Sequence, residues 1–212
     1  MRYHSVCLES FGYTLPEQIV TSMDIEAQLA PLYERLKLPT GRLELITGIQ
    51  ERRFWDRDTI ASDISAQSAE KAIAAADIDR RMIGALVHGS VCRDHLEPAT
   101  ACRVHHLLGL DPQCQIYDLS NACLGLLNGM VQIANMIELG QIRAGLVVGT
   151  ENSRPLVENT IQTLNTDVSL TRQAIKSAVA SLTIGSASCA ILLVDRELSR
   201  TDNRITGGVA RA

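Results

Sequence analysis

The sequence contains few aromatic residues, which make up only 3% of its 212 positions. Proteins that hold single strands of nucleic acid stack the bases on aromatic rings, and proteins that bind the phosphate backbone are usually basic. This chain instead has a formal net charge of −4. Both shortages argue against a nucleic-acid-binding protein.

Long apolar runs are also absent. No segment approaches the roughly 18 consecutive apolar residues of a membrane-spanning helix, and the first ten residues lack the apolar stretch of a secretory signal. We therefore expect a cytoplasmic protein without a membrane span. A content of 46% hydrophobic and 21% charged residues is ordinary for a soluble protein, and without an internal repeat one domain is the simplest expectation.

Two motifs of known chemistry are missing as well: there is no C-x-x-C pair and no G-x-S-x-G turn of serine hydrolases. The six cysteines are irregularly spaced and lie mostly in apolar segments, which predicts reduced thiols. One group of Cys and His residues surrounds His88 and another surrounds Cys102. Neither matches a standard zinc spacing, so we predict no metal site.

What the chain does contain is an alternation of apolar strand-like and helix-like segments. The predicted strands are residues 3–13, 83–89, 115–119, 143–151 and 188–196, and the predicted helices are residues 22–36, 62–76, 99–108, 124–139 and 172–181. Residues 41–58 are polar and Arg-rich and are predicted to be an exposed connection, and residues 152–171 are predicted to be a polar loop that could serve as a lid or a dimer contact. The pattern predicts an α/β fold, with a mostly parallel sheet covered by helices on both faces.

The strongest candidate for a reactive residue is Cys123, between the strand at 115–119 and the apolar helix at 124–139. This position predicts that Cys123 lies in the first turn of the helix, where free amides and the helix dipole favour a thiolate. Gly125 and Gly129 would allow another backbone or a flat substrate to approach closely. On position alone, a small buried hydrophobe is the stronger interpretation of Cys123.

Residues Asn121 to Gly125, Asn-Ala-Cys-Leu-Gly, resemble the nucleophile motif of the thiolase superfamily, and in particular of condensing enzymes of the ketoacyl synthase III type. Further segments fall in that family's order: Thr47-Gly-Ile with Arg52-Arg53, Pro98-Ala-Thr-Ala, and residues 144–151. The resemblance thus covers nearly the whole chain. It implies a thiolase-like half in which Cys123 is acylated and Asn121, Leu124 and Gly125 border the bound substrate.

Enzymes of this superfamily are built from two similar halves, with the cysteine in the first half and a histidine and an asparagine in the second. The resemblance assigns residues 1–212 to the N-terminal half, and all five histidines of the chain lie in that half. We therefore expect a second half, or a partner chain in a homo- or heterodimer, to supply the histidine and the asparagine. It would also cover the apolar central helix and the sheet edge.

Glu97 separates this chain from the synthases that prime fatty-acid synthesis, which often have phenylalanine before the proline. Those enzymes also hold coenzyme A with a tryptophan and an arginine, at places taken here by Arg42 and Ile46. A glutamate before Pro98 is similar to the condensing enzymes of bacterial long-chain olefin biosynthesis, which join two fatty acyl-CoA molecules without decarboxylation. The alternative interpretation of Glu97 is an exposed carboxylate favoured by a helix N-terminus.

The resemblance implies a Claisen condensation in which Cys123 takes one acyl group and Glu97, reaching across a dimer interface, deprotonates the second acyl thioester. Coenzyme A thioesters are the substrates and no further cofactor is implied. Arg53 and Trp55 would shape the tunnel mouth, although surface ion pairing is an equal explanation for the charged residue. Two alternatives stay open: a silent partner of an active relative, and a decarboxylative synthase III.

Overall fold

The computed structural model describes residues 1–211. Along the chain the strands are β1 (Val6–Thr14), β2 (Gln18–Thr21), β3 (Glu51–Phe54), β4 (Ile83–His88), β5 (Gln115–Asp118), β6 (Ala144–Glu151) and β7 (Ala187–Asp195). The α-helices are α1 (Ser22–Gln28), α2 (Ala30–Leu36), α3 (Arg42–Thr47), α4 (Ala61–Ala76), α5 (Thr100–Leu108), α6 (Gly125–Glu138) and α7 (Arg154–Thr166). None of the described helices is long and apolar enough to cross a membrane.

The chain forms two compact units. The first comprises residues 1–14, 59–151 and the segment from 188 onward, and the second comprises residues 15–58 and 152–187. Both units are therefore made of segments that are far apart in sequence, and the chain passes from one unit to the other four times.

The first unit is built on a five-stranded sheet in the order β1-β7-β6-β4-β5. β4 runs parallel to both β5 and β6, whereas β1 is antiparallel to β7, so the sheet is mixed. In the register between β4 and β5, His88 lies beside Asp118. The carboxyl ends of these two parallel strands consequently meet at one edge, where loops and helix starts collect.

Helices cover both faces of this sheet, as predicted. Along β6, Leu146 and Val148 pack into the cluster that α4 and α5 share with the sheet, whereas Val147 packs with Ile133 and Ile137 of α6. This division follows from the two-residue period of a strand, which points alternate side chains to opposite faces. The continuous apolar character of β6 is thus the signature of a strand buried on both sides.

Most predicted elements of the first unit are confirmed within one to three residues. β1 is irregular, as expected, with a register shift between Leu8 and Ser10. The prediction that α6 is a core helix holds for one face only, which carries the buried Ile133 and Ile137. On its other side Leu127 is 50% exposed in residues 1–211.

The second unit contains the antiparallel pair β2 and β3 with α1, α2, α3 and α7 around a separate apolar core. The single helix predicted for residues 22–36 is in fact two helices that meet at Leu29. Thr21, and not Ser22, caps the first of them: its hydroxyl accepts from the amide of Asp24, whose carboxylate accepts from the amide of Thr21. This reciprocal pair is a capping box.

The prediction that residues 41–58 form an exposed connection is wrong, because the segment contains α3 and β3. Glu26, which is buried, accepts hydrogen bonds from the amides of Gly41 and Leu43 at 2.5 and 2.6 Å and thereby holds the start of α3. Arg52 of β3 is buried too, and its guanidinium donates to the Val20 carbonyl and the Ser22 hydroxyl. Most charged residues of the segment are exposed, as expected, but Arg52 is buried and its guanidinium is paired with internal acceptors.

The loop predicted for residues 152–171 is also wrong, since most of it is α7. Val157, Ile161 and Leu164 are the buried residues of that helix, at a spacing of four and three. The polar residues between them are the solvent side of an amphipathic helix. The helix predicted for residues 172–181 is replaced by two short 3₁₀ helices, Ala174–Ala178 and Ala180–Leu182.

Candidate active site

Cys123 lies on the turn between β5 and α6, at the edge of the sheet of the first unit. It belongs to a one-turn 3₁₀ helix, Ala122–Leu124, so the prediction that it lies in the first turn of α6 is off by one turn. The amide of Leu119 donates to the His88 carbonyl at 2.9 Å, and that of Leu124 donates to the Asn121 carbonyl at 2.9 Å. These backbone bonds fix the turn on both sides of the cysteine.

The turn contains a strained residue that sequence reasoning missed. Ala122 has φ +42°, in the left-handed region that residues with a side chain rarely adopt. Such a conformation costs roughly 1–2 kcal/mol and persists only where surrounding contacts impose it. No glycine or asparagine marks this position, so only its place before Cys123 could have drawn attention to it.

Gly125 is where α6 packs directly onto the end of β4. A Cβ atom on Gly125 would lie 3.0 Å from the carbonyl carbon and oxygen of Gly89, and a Cβ atom on Gly89 would lie 2.7 Å from the Gly125 oxygen. Gly129, one turn later, would place a Cβ atom 2.7 Å from Val147. The predicted close approach of another backbone is confirmed for Gly125, and it is Gly89 that approaches.

Asn121 and Leu124, two of the three neighbours assigned to substrate binding, are both exposed but make different contacts. The Asn121 side-chain amide donates to the Asn128 side-chain oxygen of α6, which ties the start of the turn to the helix. Leu124 is 52% exposed and lies next to Cys123 on the open side. The turn thus presents an exposed thiol beside an exposed apolar side chain.

All six cysteines are free thiols, and Cys123 is the exposed one among them. Burial raises the pKa of the Cys114 thiol to about 11, with a further contribution from the charge of Asp111. Burial also raises the pKa of the Cys189 thiol. Because the thiolate is the nucleophile, these two thiols are disfavoured as reactive groups, whereas Cys123 is open to solvent.

Glu97 lies on the loop between β4 and α5, in the same unit as Cys123. It is exposed, and its neighbour Leu96 is 84% exposed, so the tip of the loop projects from the unit. The peptide bond between Glu97 and Pro98 is cis. The amide of Asp94 donates to the Thr100 hydroxyl at 3.3 Å, which closes the base of the loop.

A group of charged and polar side chains lies beneath this loop. His88 is fully buried, and its Nδ1 is 3.9 Å from Oδ1 of Asp118. Burial lowers the pKa of His88, and the opposing charges of Asp118, Asp94 and Glu151 do not overcome that effect. His88 is therefore a neutral imidazole at neutral pH.

Neither of the two Cys and His groups is a metal site in this structure. The Cys92 thiol donates to a carboxylate oxygen of Glu151 at 3.2 Å, and His105 Nε2 lies 3.0 Å from the Asp111 carbonyl oxygen. Within residues 1–211, no three His, Cys, Asp or Glu side chains are grouped so that they could hold a metal ion.

Arg53 and Trp55 belong to the second unit. The Arg53 guanidinium donates to the Pro16 carbonyl at 2.8 Å. Trp55 is 6% exposed, and its carbonyl accepts from Nε of Arg154 at 2.7 Å. Both residues are thus held within their own unit, and their role in substrate binding stays a prediction.

Comparisons with known proteins agree with this geometry. The family model described as the N-terminal domain of thiolase matches residues 46–179. The acyl-CoA:acyl-CoA alkyltransferase of Shewanella oneidensis is 45% identical over 204 residues, which are 96% of this chain and 58% of that protein. The enzyme of the same name from Xanthomonas campestris is 36% identical over 212 residues, and the match spans 62% of its length.

More distant relatives and solved structures point the same way. A beta-ketoacyl-[acyl-carrier-protein] synthase III of Koribacter versatilis is 30% identical over 153 residues, 72% of this chain and 44% of that protein. A crystal structure of Xanthomonas campestris OleA with bound lauric acid and lauroyl-CoA superimposes with a TM-score of 0.91 at 36% identity, and covers 99% of this chain and 62% of that one. The chain thus spans about three fifths of the two alkyltransferases and of the OleA chain, and less than half of the synthase III.

Proposed function

Because the chain belongs to the thiolase family, as an N-terminal domain of that family, we propose that it is the nucleophile-bearing half of an acyltransferase that joins two acyl-CoA thioesters. The observation that carries the proposal is the exposed Cys123 on a strained turn between a parallel strand and a helix start. A thiol in this position can attack a substrate that approaches from the open side of the sheet.

The first step of the proposed reaction is acyl transfer. The Cys123 thiolate attacks the thioester carbonyl of an acyl-CoA, a new carbon–sulfur bond forms, and the bond to coenzyme A breaks to release coenzyme A as its thiolate. The amides of Leu124 and Gly125 are already bound to the carbonyls of Asn121 and Ala122. We therefore assign the amide of Cys123 as one donor to the oxyanion.

The second step is a condensation without loss of carbon dioxide. Glu97 of a partner subunit removes a proton from the carbon next to the thioester carbonyl of a second acyl-CoA. The resulting enolate attacks the acyl group on Cys123, the Cys123 thiolate leaves, and a β-ketoacyl-CoA is released. An acid–base group is needed here because no departing carboxylate generates the carbanion.

Two features of the relatives support this assignment of Glu97. The named acyl-CoA:acyl-CoA alkyltransferases are the relatives with 45% and 36% identity. In the solved OleA variants, the substituted cysteine and the substituted glutamate are separated by as many residues as Cys123 and Glu97 are here. A histidine substituted in other OleA structures lies further beyond that cysteine than this chain extends.

The proposal includes a second half that supplies a histidine and an asparagine, and a homo- or heterodimer in which Glu97 crosses to its partner. The exposed apolar residues of α6, including Leu127, are one surface that such a half would cover. The substrates are long-chain acyl-CoA molecules, with Arg53 and Trp55 on their path, and the thioester itself provides the activation, so no cofactor is assigned. Six free thiols fit a cytoplasmic protein.

In the deciding experiment, the native mass of the purified chain is measured first. The chain is then exposed to lauroyl-CoA, and its intact mass is measured by mass spectrometry. We expect a single added lauroyl group that is absent in Cys123→Ala and still present in Cys102→Ala, a control thiol on α5 that is half-buried. Product formation is then followed with the second half present. An adduct that survives in Cys123→Ala contradicts the proposal.

The same assay separates two alternatives. A decarboxylative synthase is favoured by the relatives named synthase III, and it would release carbon dioxide from a malonyl thioester and be insensitive to Glu97→Gln. A silent partner would carry no acyl group, and the assembled enzyme would tolerate Cys123→Ala. Product formation from two acyl-CoA molecules that is lost in both Cys123→Ala and Glu97→Gln excludes both.

A further inference from the structure

We propose that Asp118 is a positioning residue that holds the Glu97 loop in its working position. The catalytic significance of that position rests on the proposed role of Glu97, but the geometry stands on its own contacts. Asp118 is the last residue of β5, and its side chain is 4% exposed. A buried carboxylate needs hydrogen-bond donors; amides at one end of the Glu97 loop donate to Asp118, and a guanidinium from the other end lies within ion-pair distance.

One end of the loop is the start of α5. The Thr100 amide donates to Oδ2 of Asp118 at 2.8 Å, and the Ala101 amide donates to Oδ1 at 2.9 Å. α5 has no side-chain cap from its own N-cap residue, Ala99. Asp118 therefore satisfies two free amides of the helix from another strand and places a negative charge at the positive end of the helix.

The other end of the loop also converges on Asp118. Nε of Arg93 is 3.8 Å from Oδ2 of Asp118. The next residue, Asp94, donates its amide to the Thr100 hydroxyl and accepts the Ser62 amide of α4 on its carboxylate at 3.1 Å. Residues 95–99 thus form a short span, with Glu97 in its middle, whose two ends are held on one carboxylate.

Asp118 links this loop to the nucleophile as well. It lies five residues before Cys123, on the strand that leads into the Cys123 turn, and beside His88 in the register of the sheet. His88 Nδ1 is 3.9 Å from the carboxylate, too far for a hydrogen bond, so the amides of α5 are its direct donors. A single side chain therefore sets the strand of the nucleophile and the loop of the base relative to one another.

Asp118→Asn is the sharp test because it keeps the shape of the side chain. Its amide oxygen can accept from only one of the two helix amides, and its NH₂ group would face the other. In the complete enzyme, with its second half, we expect acylation of Cys123 within about twofold of the unchanged protein. Condensation should fall by roughly tenfold to a hundredfold, as for a misplaced catalytic group.

A double-mutant cycle with Glu97→Gln separates positioning from general damage. If Asp118 acts through Glu97, the double variant condenses at the rate of Glu97→Gln alone, and Asp118→Glu recovers part of the rate. The proposal is overturned if the fold-decreases in condensation rate of the two single variants multiply in the double variant. It is also overturned if Asp118→Asn slows acylation as much as condensation. Asp118→Glu also serves as the second variant should Asp118→Asn fold poorly.

Hydrogen exchange on the chain itself tests the geometry apart from catalysis. In Asp118→Asn, peptides that cover residues 93–102 should exchange faster, whereas those from the C-terminal part of α4, residues 66–76, which has no bond to the loop in residues 1–211, should be unchanged. Unaltered exchange at 93–102 overturns the positioning role. If the unchanged protein neither acylates Cys123 nor condenses, it is the proposed function that fails, and the exchange result still decides about Asp118.

Discussion

The Cys123 turn and the Glu97 loop lie in the same unit but are held by different forces. Backbone hydrogen bonds hold the turn, together with the contact between Gly89 and Gly125, where no side chain intervenes. The loop is held at its base by carboxylates, chiefly that of Asp118, which accept hydrogen bonds from backbone amides. The turn therefore depends on the close packing of backbone atoms, and the loop depends on hydrogen bonds to charged carboxylates.

This difference suits the chemistry proposed for each region. A nucleophile must be presented at a fixed angle, and a left-handed alanine whose carbonyl accepts from the Gly125 amide gives little freedom. A base that works across an interface needs a loop that is anchored at its ends but exposed at its tip. The turn should therefore be sensitive to added volume, whereas the loop should be sensitive to protonation and to lost hydrogen bonds.

The largest effect is expected from Gly89→Ala, which adds a Cβ atom where two backbones pack closely beside the Cys123 turn. The new Cβ atom would lie 2.7 Å from the Gly125 oxygen and 3.0 Å from the Leu126 Cα atom. Both are backbone atoms, so a change of rotamer cannot relieve the clash. We expect a loss of about 2–3 kcal/mol in the free energy of unfolding, and slower acylation of Cys123. Urea denaturation and the intact-mass assay measure the two quantities.

Gly208→Ala is the matched control, since its Cβ atom would meet nothing closer than the flexible end of Met1 at 3.6 Å. It should unfold within about 0.5 kcal/mol of the unchanged protein. Equal stability of Gly89→Ala and Gly208→Ala would show that the packing of α6 on β4 does not hold the turn.

A smaller effect, specific to the region beneath the Glu97 loop, is expected from acidification. Burial lowers the pKa of His88 below its ordinary value of 6.5, so below pH 6.5 the unfolded chain binds a proton that the folded chain does not. The free energy of unfolding should then fall with falling pH, by up to about 1.4 kcal/mol per pH unit, until the folded-state pKa is reached.

His88→Gln should flatten this dependence between pH 6.5 and 5, because a neutral amide cannot take up the proton. The charged groups that face His88 are Asp118, Asp94, Glu151 and Arg93, and all of them remain in the variant. His106→Gln, on the exposed side of α5, is the control and should keep the slope. Identical slopes in His88→Gln and the unchanged protein would contradict a buried neutral histidine.

The smallest effect is expected from Thr100→Val, which weakens the loop without changing its shape. It removes the hydroxyl that accepts from the Asp94 amide at 3.3 Å and leaves both bonds to Asp118. We expect the free energy of unfolding to fall by about 1 kcal/mol and hydrogen exchange in residues 93–99 to be faster. Acylation of Cys123 should be unchanged. Slower acylation in this variant would mean that the loop and the turn are not independent.

The prediction from sequence was accurate where an element owes its form to its own apolar pattern. β6 and α4 were located within one residue because their buried positions recur at the periods of a strand and a helix. It failed in the second unit, where Arg52 was predicted to lie in an exposed connection but is buried in β3. Only long-range partners, such as the Val20 carbonyl, reveal that it is internal.

The candidate site divides in the same way. Cys123 could be located because strand, turn and apolar helix are each local patterns, and the resemblance of its motif then supplied a role. Ala122 and Asp118 could not, because the strain of one and the helix-capping of the other exist only when β4, β5, α5 and α6 are assembled.

By itself, then, the sequence determined which segments become strands and helices around Cys123, and that the sheet is buried on both faces. Local apolar periodicity is sufficient for both. The tertiary structure alone decided how the thiol is presented and what anchors the loop of Glu97. Those outcomes depend on the Gly89 and Gly125 backbones meeting, and on one strand-end carboxylate reaching amides 17 and 18 residues away in sequence.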